Sequence, residues 1–276
     1  MNMVPFSSIL FMAVSCAIGF GVPIGLLLYL HISKKADLMP FFVGCAVMLL
    51  FALVLEAVVH RIILGSSAGE VIRGNTWLYG LYGGFMAGLF EETGRLIAFK
   101  TVLKKKRDKD INAVMYGAGH GGFEAVVLLG MTMINNLIFA VLINAGKSEV
   151  LTGKLTGDAL AQVQDAIQQM QTLPPYQFLL GGIERLSAIV LHMALSILVW
   201  FAAKQKRKGY LFLVAVFLHL FVDAATVILA GTGVSVIAVE AVVAALSVLS
   251  AVFARSVWKK CRAAGPDVLY GESDHE

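Results

Sequence analysis

Seven stretches of mainly apolar residues follow one another along the chain, at about 6–30, 39–64, 76–102, 111–143, 176–203, 210–230 and 233–257. A helix needs about 20 such residues to cross the hydrocarbon core of a bilayer. In lipid every backbone N–H and C=O must be satisfied inside the segment, and a helix does this. The expected fold is therefore all-α, a polytopic bundle of seven transmembrane helices. Composition points the same way: 58% of residues are hydrophobic, only 14% are charged, and the mean hydropathy is +0.81. Soluble domains carry about a quarter charged residues.

The links between the stretches give an orientation. Lys34 and Lys35, the run from Lys104 to Asp110, the run from Lys204 to Gly209, and Lys259, Lys260 and Arg262 occupy alternate links and the tail. The intervening links carry only Arg73, Lys147 and Lys154. Basic residues mark the cytoplasmic side, so the N-terminus is expected outside and the C-terminus in the cytoplasm. The first apolar run lacks a basic region before it and reads as a retained helix, not a signal peptide. Residues 1–262 read as one seven-helix domain with its catalytic core at about 76–230, and 263–276 as a disordered tail. In the longest outer link, Leu160, Val163, Ile167 and Met170 have helical spacing before Pro174-Pro175, which predicts a short amphipathic helix. Cys16, Cys45 and Cys261 share no metal-type spacing. The expected location is a cell membrane, the bacterial cytoplasmic membrane, with the lipid bilayer as partner and no nucleic acid.

Charged residues inside the stretches demand an explanation. Glu56, Glu91, Glu92, Glu124, Glu184, Asp223 and Glu240 face only Arg61, Arg95 and Arg185. A charge in the bilayer interior costs at least about 2.5–3.5 kcal/mol. Either several carboxyls are protonated or a cation is bound. Glu56, His60 and Arg61 lie near an outer helix end, where they can simply reach the interface.

Depth singles out four groups. His120, His192, His219 and Glu92 each lie about 10 residues from the cytoplasmic end of their helix, which is roughly 15 Å at 1.5 Å per residue. Four helices thus bring polar side chains to one level. Gly80, Gly84 and Gly88 form a small-residue ridge that Glu92 continues, and Gly117 and Gly121 flank His120. Such ridges let helices approach closely. His120 with Glu124, His219 with Asp223, and Glu91 with Arg95 share helix faces at a spacing of four residues.

Three imidazoles and a carboxylate at one depth suit a zinc site with a position left for water. On this reading His120, His192 and His219 are ligands. Glu124 or Asp223 supplies a fourth ligand or a hydrogen-bond partner for an imidazole. Glu91 or Glu92 is the general base, and Arg95 pairs with one of them or stabilises an oxyanion.

The motifs EETGR (Glu91–Arg95), HGGFE (His120–Glu124), ERLSAIVLH (Glu184–His192) and HLFVD (His219–Asp223), in this order, resemble the YhfC-type intramembrane metalloproteases. That group is similar to the type II CAAX prenyl proteases and the PrsW-type proteases. The resemblance implies hydrolysis of a peptide bond within the membrane, on a membrane protein or peptide. It implies that Glu91 or Glu92 activates water with help from His120. It links His219 and Asp223 to the oxyanion or to a metal. Some relatives carry Lys where this chain has Arg95, and Asn or Asp where it has Asp223. The wider group also includes a non-proteolytic subunit of gamma-secretase, so a scaffold or chaperone subunit is one alternative. A proton- or metal-coupled transporter is the other, because buried carboxylates and histidines also mark ion paths.

Overall fold

The computed structural model describes residues 3–263, so the tail expected beyond Ala263 lies outside the described residues. The described chain is helical, as its apolar runs predict. In order the helices are α1 (Phe6–Ile32), α2 (Met39–Leu64), α3 (Ser67–Arg73), α4 (Thr76–Lys100) and α5 (Ile111–Asn144). They continue with α6 (Glu149–Thr152), α7 (Gly157–Thr172), α8 (Tyr176–Lys204), α9 (Tyr210–Gly231) and α10 (Val236–Ala263). Two of the long helices contain π-helical turns, Met48–Glu56 in α2 and Val126–Gly130 in α5.

Among the described residues, six helices are long and apolar enough to cross a membrane: α1, α2, α5, α8, the segment Lys206–Gly231 containing α9, and α10. The seventh expected stretch, α4, is 25 residues long, and its second half holds Glu91, Glu92 and Arg95. Its other face is apolar: Leu81, Phe85 and Leu89 are exposed at a spacing of four residues. An outward stripe of this kind suits lipid, and α9 has one in Leu213, Phe217 and Phe221.

The residues form two compact units. The first comprises the chain up to Gly25 and Glu124–Leu186. Met12, Leu129, Met133, Ile143, Met170 and Phe178 make its core. Asn144 ties its ends, accepting from Val4 N at 2.7 Å and donating to Val4 O at 3.0 Å. The expected amphipathic helix is present as α7, where Met170 is buried and Leu160, Val163 and Ile167 are half-buried.

The second unit comprises Leu26–Phe123 and the chain from Ser187 on. Phe99 packs edge-on against Tyr116 at 4.6 Å and Trp200 at 5.0 Å, all fully buried. One close helix contact follows the glycine ridge of α4. A Cβ at Gly84 would stand 2.4 Å from Leu220 O, and one at Gly88 2.8 Å from Val216 O, both on α9. The next residue of the row is Glu92, which therefore meets His219. Likewise a Cβ at Gly117 would stand 2.5 Å from Met193 Cα, which brings α5 against α8 beside His192. Gly84→Ala is accordingly expected to cost about 1–3 kcal/mol through overpacking. Gly83→Ala, whose Cβ meets nothing within 4 Å, should be neutral or stabilising by up to about 1 kcal/mol from helix propensity. Paired unfolding curves check the contrast; equal effects would contradict this packing.

At the basic ends of the helices, Asp37 joins α2's entry to α5. Its carboxylate accepts from Lys109 at 2.8 Å and from Asn112 at 3.1 Å, and its backbone N–H donates to Asn112 Oδ1 at 2.9 Å. The Lys109 hydrogen bond holds the Asp37 carboxyl below its ordinary value of 3.8 against a smaller opposing effect of burial. A depressed carboxyl stabilises the fold above its unfolded value and loses that contribution as pH falls through the folded one. Asp37→Asn should therefore lower the melting temperature slightly at neutral pH and leave it unchanged well below pH 3.8. A deficit of the same size at both pH values would contradict this.

Candidate active site

α4 delivers three charged side chains to the interior of the second unit. Glu91 is 6% exposed, and Glu92 and Arg95 are 0% exposed. One turn of helix lets Arg95 Nη1 pair with the Glu92 carboxylate. Arg95 Nη2 lies 3.2 Å from His192 Nδ1 on α8. Arginine only donates, so this ring nitrogen accepts and the ring proton sits on Nε2. The same Nδ1 lies 3.8 Å from Glu91 Oε2, and its lone pair is the one His192 can offer an ion in exchange for Arg95.

His219 on α9 places Nδ1 2.9 Å from Glu92 Oε1. An ionised carboxylate only accepts, which assigns the Nδ1 proton to the ring. In the neutral ring the Nε2 lone pair then faces Glu91 Oε2 at 3.9 Å and Asp223 Oδ2 at 3.4 Å. On α5, His120 Nε2 lies 2.8 Å from Glu91 Oε2. The His120 and His192 rings are 4.9 Å apart, and those of His192 and His219 5.3 Å. All three histidines are buried. The residues singled out by shared depth, His120, His192, His219 and Glu92, are thus neighbours, with Glu91, Arg95 and Asp223 among them.

Among the described residues, one set of three or more His, Cys, Asp or Glu side chains brings its ligand atoms within 4.8 Å of one another: Glu91, His120 and His192. His219, Glu124 and Asp223 are outside that set. Glu124 belongs to the first unit, where Arg185 pairs with both Glu124 and Glu184. Two imidazole nitrogens and one carboxylate oxygen form a donor set that zinc takes, leaving one position open. Ligand atoms around a tetrahedral zinc lie about 3.3 Å apart. The 2.8 Å between Glu91 and His120 therefore needs only a small opening. Charge agrees with this fit. Glu91, Glu92 and Arg95 leave the buried cluster at minus one with neutral rings, and a cation or a ring proton offsets it.

Tyr116 and Tyr82 join these groups from outside the four motifs. Tyr116 is one turn before His120, stacks on its ring at 5.9 Å, and lies under the Arg95 guanidinium at 5.9 Å. The signal was the same four-residue spacing that linked His120 to Glu124. Tyr82 OH lies 2.9 Å from His60 Nδ1, whose Nε2 lies 3.0 Å from Glu56. Glu56 and His60, expected at an outer interface, therefore form a chain with an α4 tyrosine.

Residues 18–244 match the family model for the YhfC intramembrane metalloprotease. The chain belongs to the YhfC family. A YhfC relative, the uncharacterized membrane protein YhfC of Bacillus subtilis (strain 168), is 36% identical over 251 residues. That alignment covers 90% of this chain and 95% of the relative. No solved structure matches. The family match contains all four motifs and every member of the buried cluster, and this YhfC chain is a membrane protein with multiple apolar helices.

Proposed function

We propose that the protein is an intramembrane metallopeptidase that hydrolyses a peptide bond of a membrane-embedded or membrane-proximal substrate. The observation that carries this reading is the convergence of Glu91, His120 and His192 beside a Glu92–His219 pair in a buried site. Glu91, His120 and His192 would hold the ion, with zinc best suited to the donor set. When bound, such an ion activates water and polarises the scissile carbonyl.

The protein's own residues supply the proton chemistry. His219 Nε2 takes the proton of the attacking water, and the Glu92 carboxylate stabilises the resulting imidazolium through Nδ1–H. His219 then returns that proton to the leaving amine. Arg95 acts as a positioning residue, fixing Glu92 through its salt bridge, and would give up the His192 Nδ1 lone pair to a bound ion. Asp223 has a side chain 36% exposed, the most open of the cluster, and lies 3.4 Å from His219 Nε2. Relative to the expectation from sequence, this assignment exchanges Glu91 and His219: the glutamate moves to the ligand set and the histidine takes the proton. Glu124 has no part in it.

The reading includes seven spans, with α4 as the third, the N-terminus outside and the C-terminus in the bacterial cytoplasm. The exposed Leu81, Phe85 and Leu89 stripe supports counting α4, and the basic alternate links support the orientation. The test is cleavage of fluorogenic transmembrane peptides in proteoliposomes. Cleavage should fall to background with Glu91→Gln and with a strong chelator, and return when zinc is restored to the wild type. Cleavage untouched by both would overturn the assignment.

A further inference from the structure

A cavity of about 530 Å³ lies at the basic ends of the helices in the second unit. Val114 and Ile197 form its apolar floor, Trp258 one wall, and Arg255, Lys259 and Arg262 its charged rim. Trp258 is seated edge-on against Phe201 at 5.9 Å. Asp110, an acid beside the rim, already accepts from Trp200 Nε1 at 3.1 Å and pairs with Lys204. Arg262 Nε reaches it only at 3.7 Å, and Arg255 and Lys259 form no ion pair among the described residues. The rim therefore keeps a surplus of positive charge.

The helix carrying the rim changes character along one face. Val248, Val252, Arg255 and Lys259 follow one another at helical spacing, the two valines 56% and 61% exposed. Apolar surface leads directly into cations and an interfacial tryptophan. That sequence of chemistries matches an amphiphile with an acyl chain below and an anion above. A soluble anion would leave the apolar floor and the valine face uncovered.

We propose that this groove binds an anionic phospholipid, its phosphate on Arg255 and Lys259 and an acyl chain along Val252, Val248 and the Val114–Ile197 floor. Basic pockets between helices at the cytoplasmic side of a membrane suit such headgroups. Trp258 caps the chain at the boundary between hydrocarbon and water.

Native mass spectrometry of the full chain in a neutral detergent tests this, with phosphatidylglycerol, phosphatidylcholine and inorganic phosphate as probes. Phosphatidylglycerol should be retained in preference to phosphatidylcholine, and millimolar phosphate should not displace it. Arg255→Gln with Lys259→Gln should weaken retention about fivefold per cation removed. Lys104→Gln with Lys105→Gln, outside the groove, should leave retention unchanged. Val114→Trp, which fills the floor without touching charge, should weaken retention as well, and covers the case in which the double variant does not fold. Equal retention of both lipids, displacement by free phosphate, or equal losses in the two charge variants would overturn the proposal. So would retention that appears only after residues 264–276 are removed, which would assign the groove to the chain's own acidic tail.

Discussion

Glu92→Ala is expected to destabilise the protein by about 3–5 kcal/mol, the largest loss of any single substitution in the cluster. The reason lies in what remains. Arg95 is fully buried, and its carboxylate partner is Glu92 on the same helix. Without it a guanidinium is left in an apolar interior against a tyrosine ring and an imidazole nitrogen. His219 loses the acceptor of its Nδ1 proton at the same time. Glu92→Ala combined with Arg95→Met should recover much of the loss, because the uncompensated charge is gone. Unfolding of the purified protein in mixed micelles measures both. A neutral single substitution, or a double variant worse than the sum of its parts, would contradict this view of the pair.

His219→Ala is expected to lower turnover about 10²–10⁴-fold while leaving the fold and the bound metal in place. His219 lies outside the set of ligand atoms that converge, and its Nε2 is directed at Glu91 and Asp223. His120→Ala should differ in kind, removing metal and activity together. Metal content measured beside turnover separates the two roles. If His219→Ala lost metal as fully as His120→Ala, His219 would be a ligand, and the proton would have to go elsewhere.

The helical architecture was legible because lipid leaves the backbone few choices and because apolar runs of this length have no other use. The site was legible through depth. His120, His192 and His219 sit near equal distances from the basic ends of their helices, and straight helices of similar tilt keep such distances equal in space. The glycine ridge of α4 made the same prediction by a different route, since a row without side chains draws in the helix that carries His219.

Rotation about each helix axis was less legible. Spacing cannot distinguish Glu91 from Glu92, adjacent residues about 100° apart on one helix. Contacts separate them: Arg95, one turn on, takes Glu92, and Glu91 is left toward His120. A four-residue spacing puts Glu124 on the same helix face as His120. Yet Glu124 has Arg185 as its partner, a residue distant in sequence that no local pattern announces. α4 falls outside the six long apolar helices, because the residues that make the site lower its hydropathy.

Metal content of the purified protein is the most direct measurement. Wild-type protein loaded with zinc and freed of excess ion should carry about one ion per chain. Glu91→Ala with His120→Ala should carry little or none, and His219→Ala should match the wild type. Metal-replete wild-type protein that holds no ion, or a double variant that holds as much as the wild type, would contradict a metal centre built on Glu91, His120 and His192.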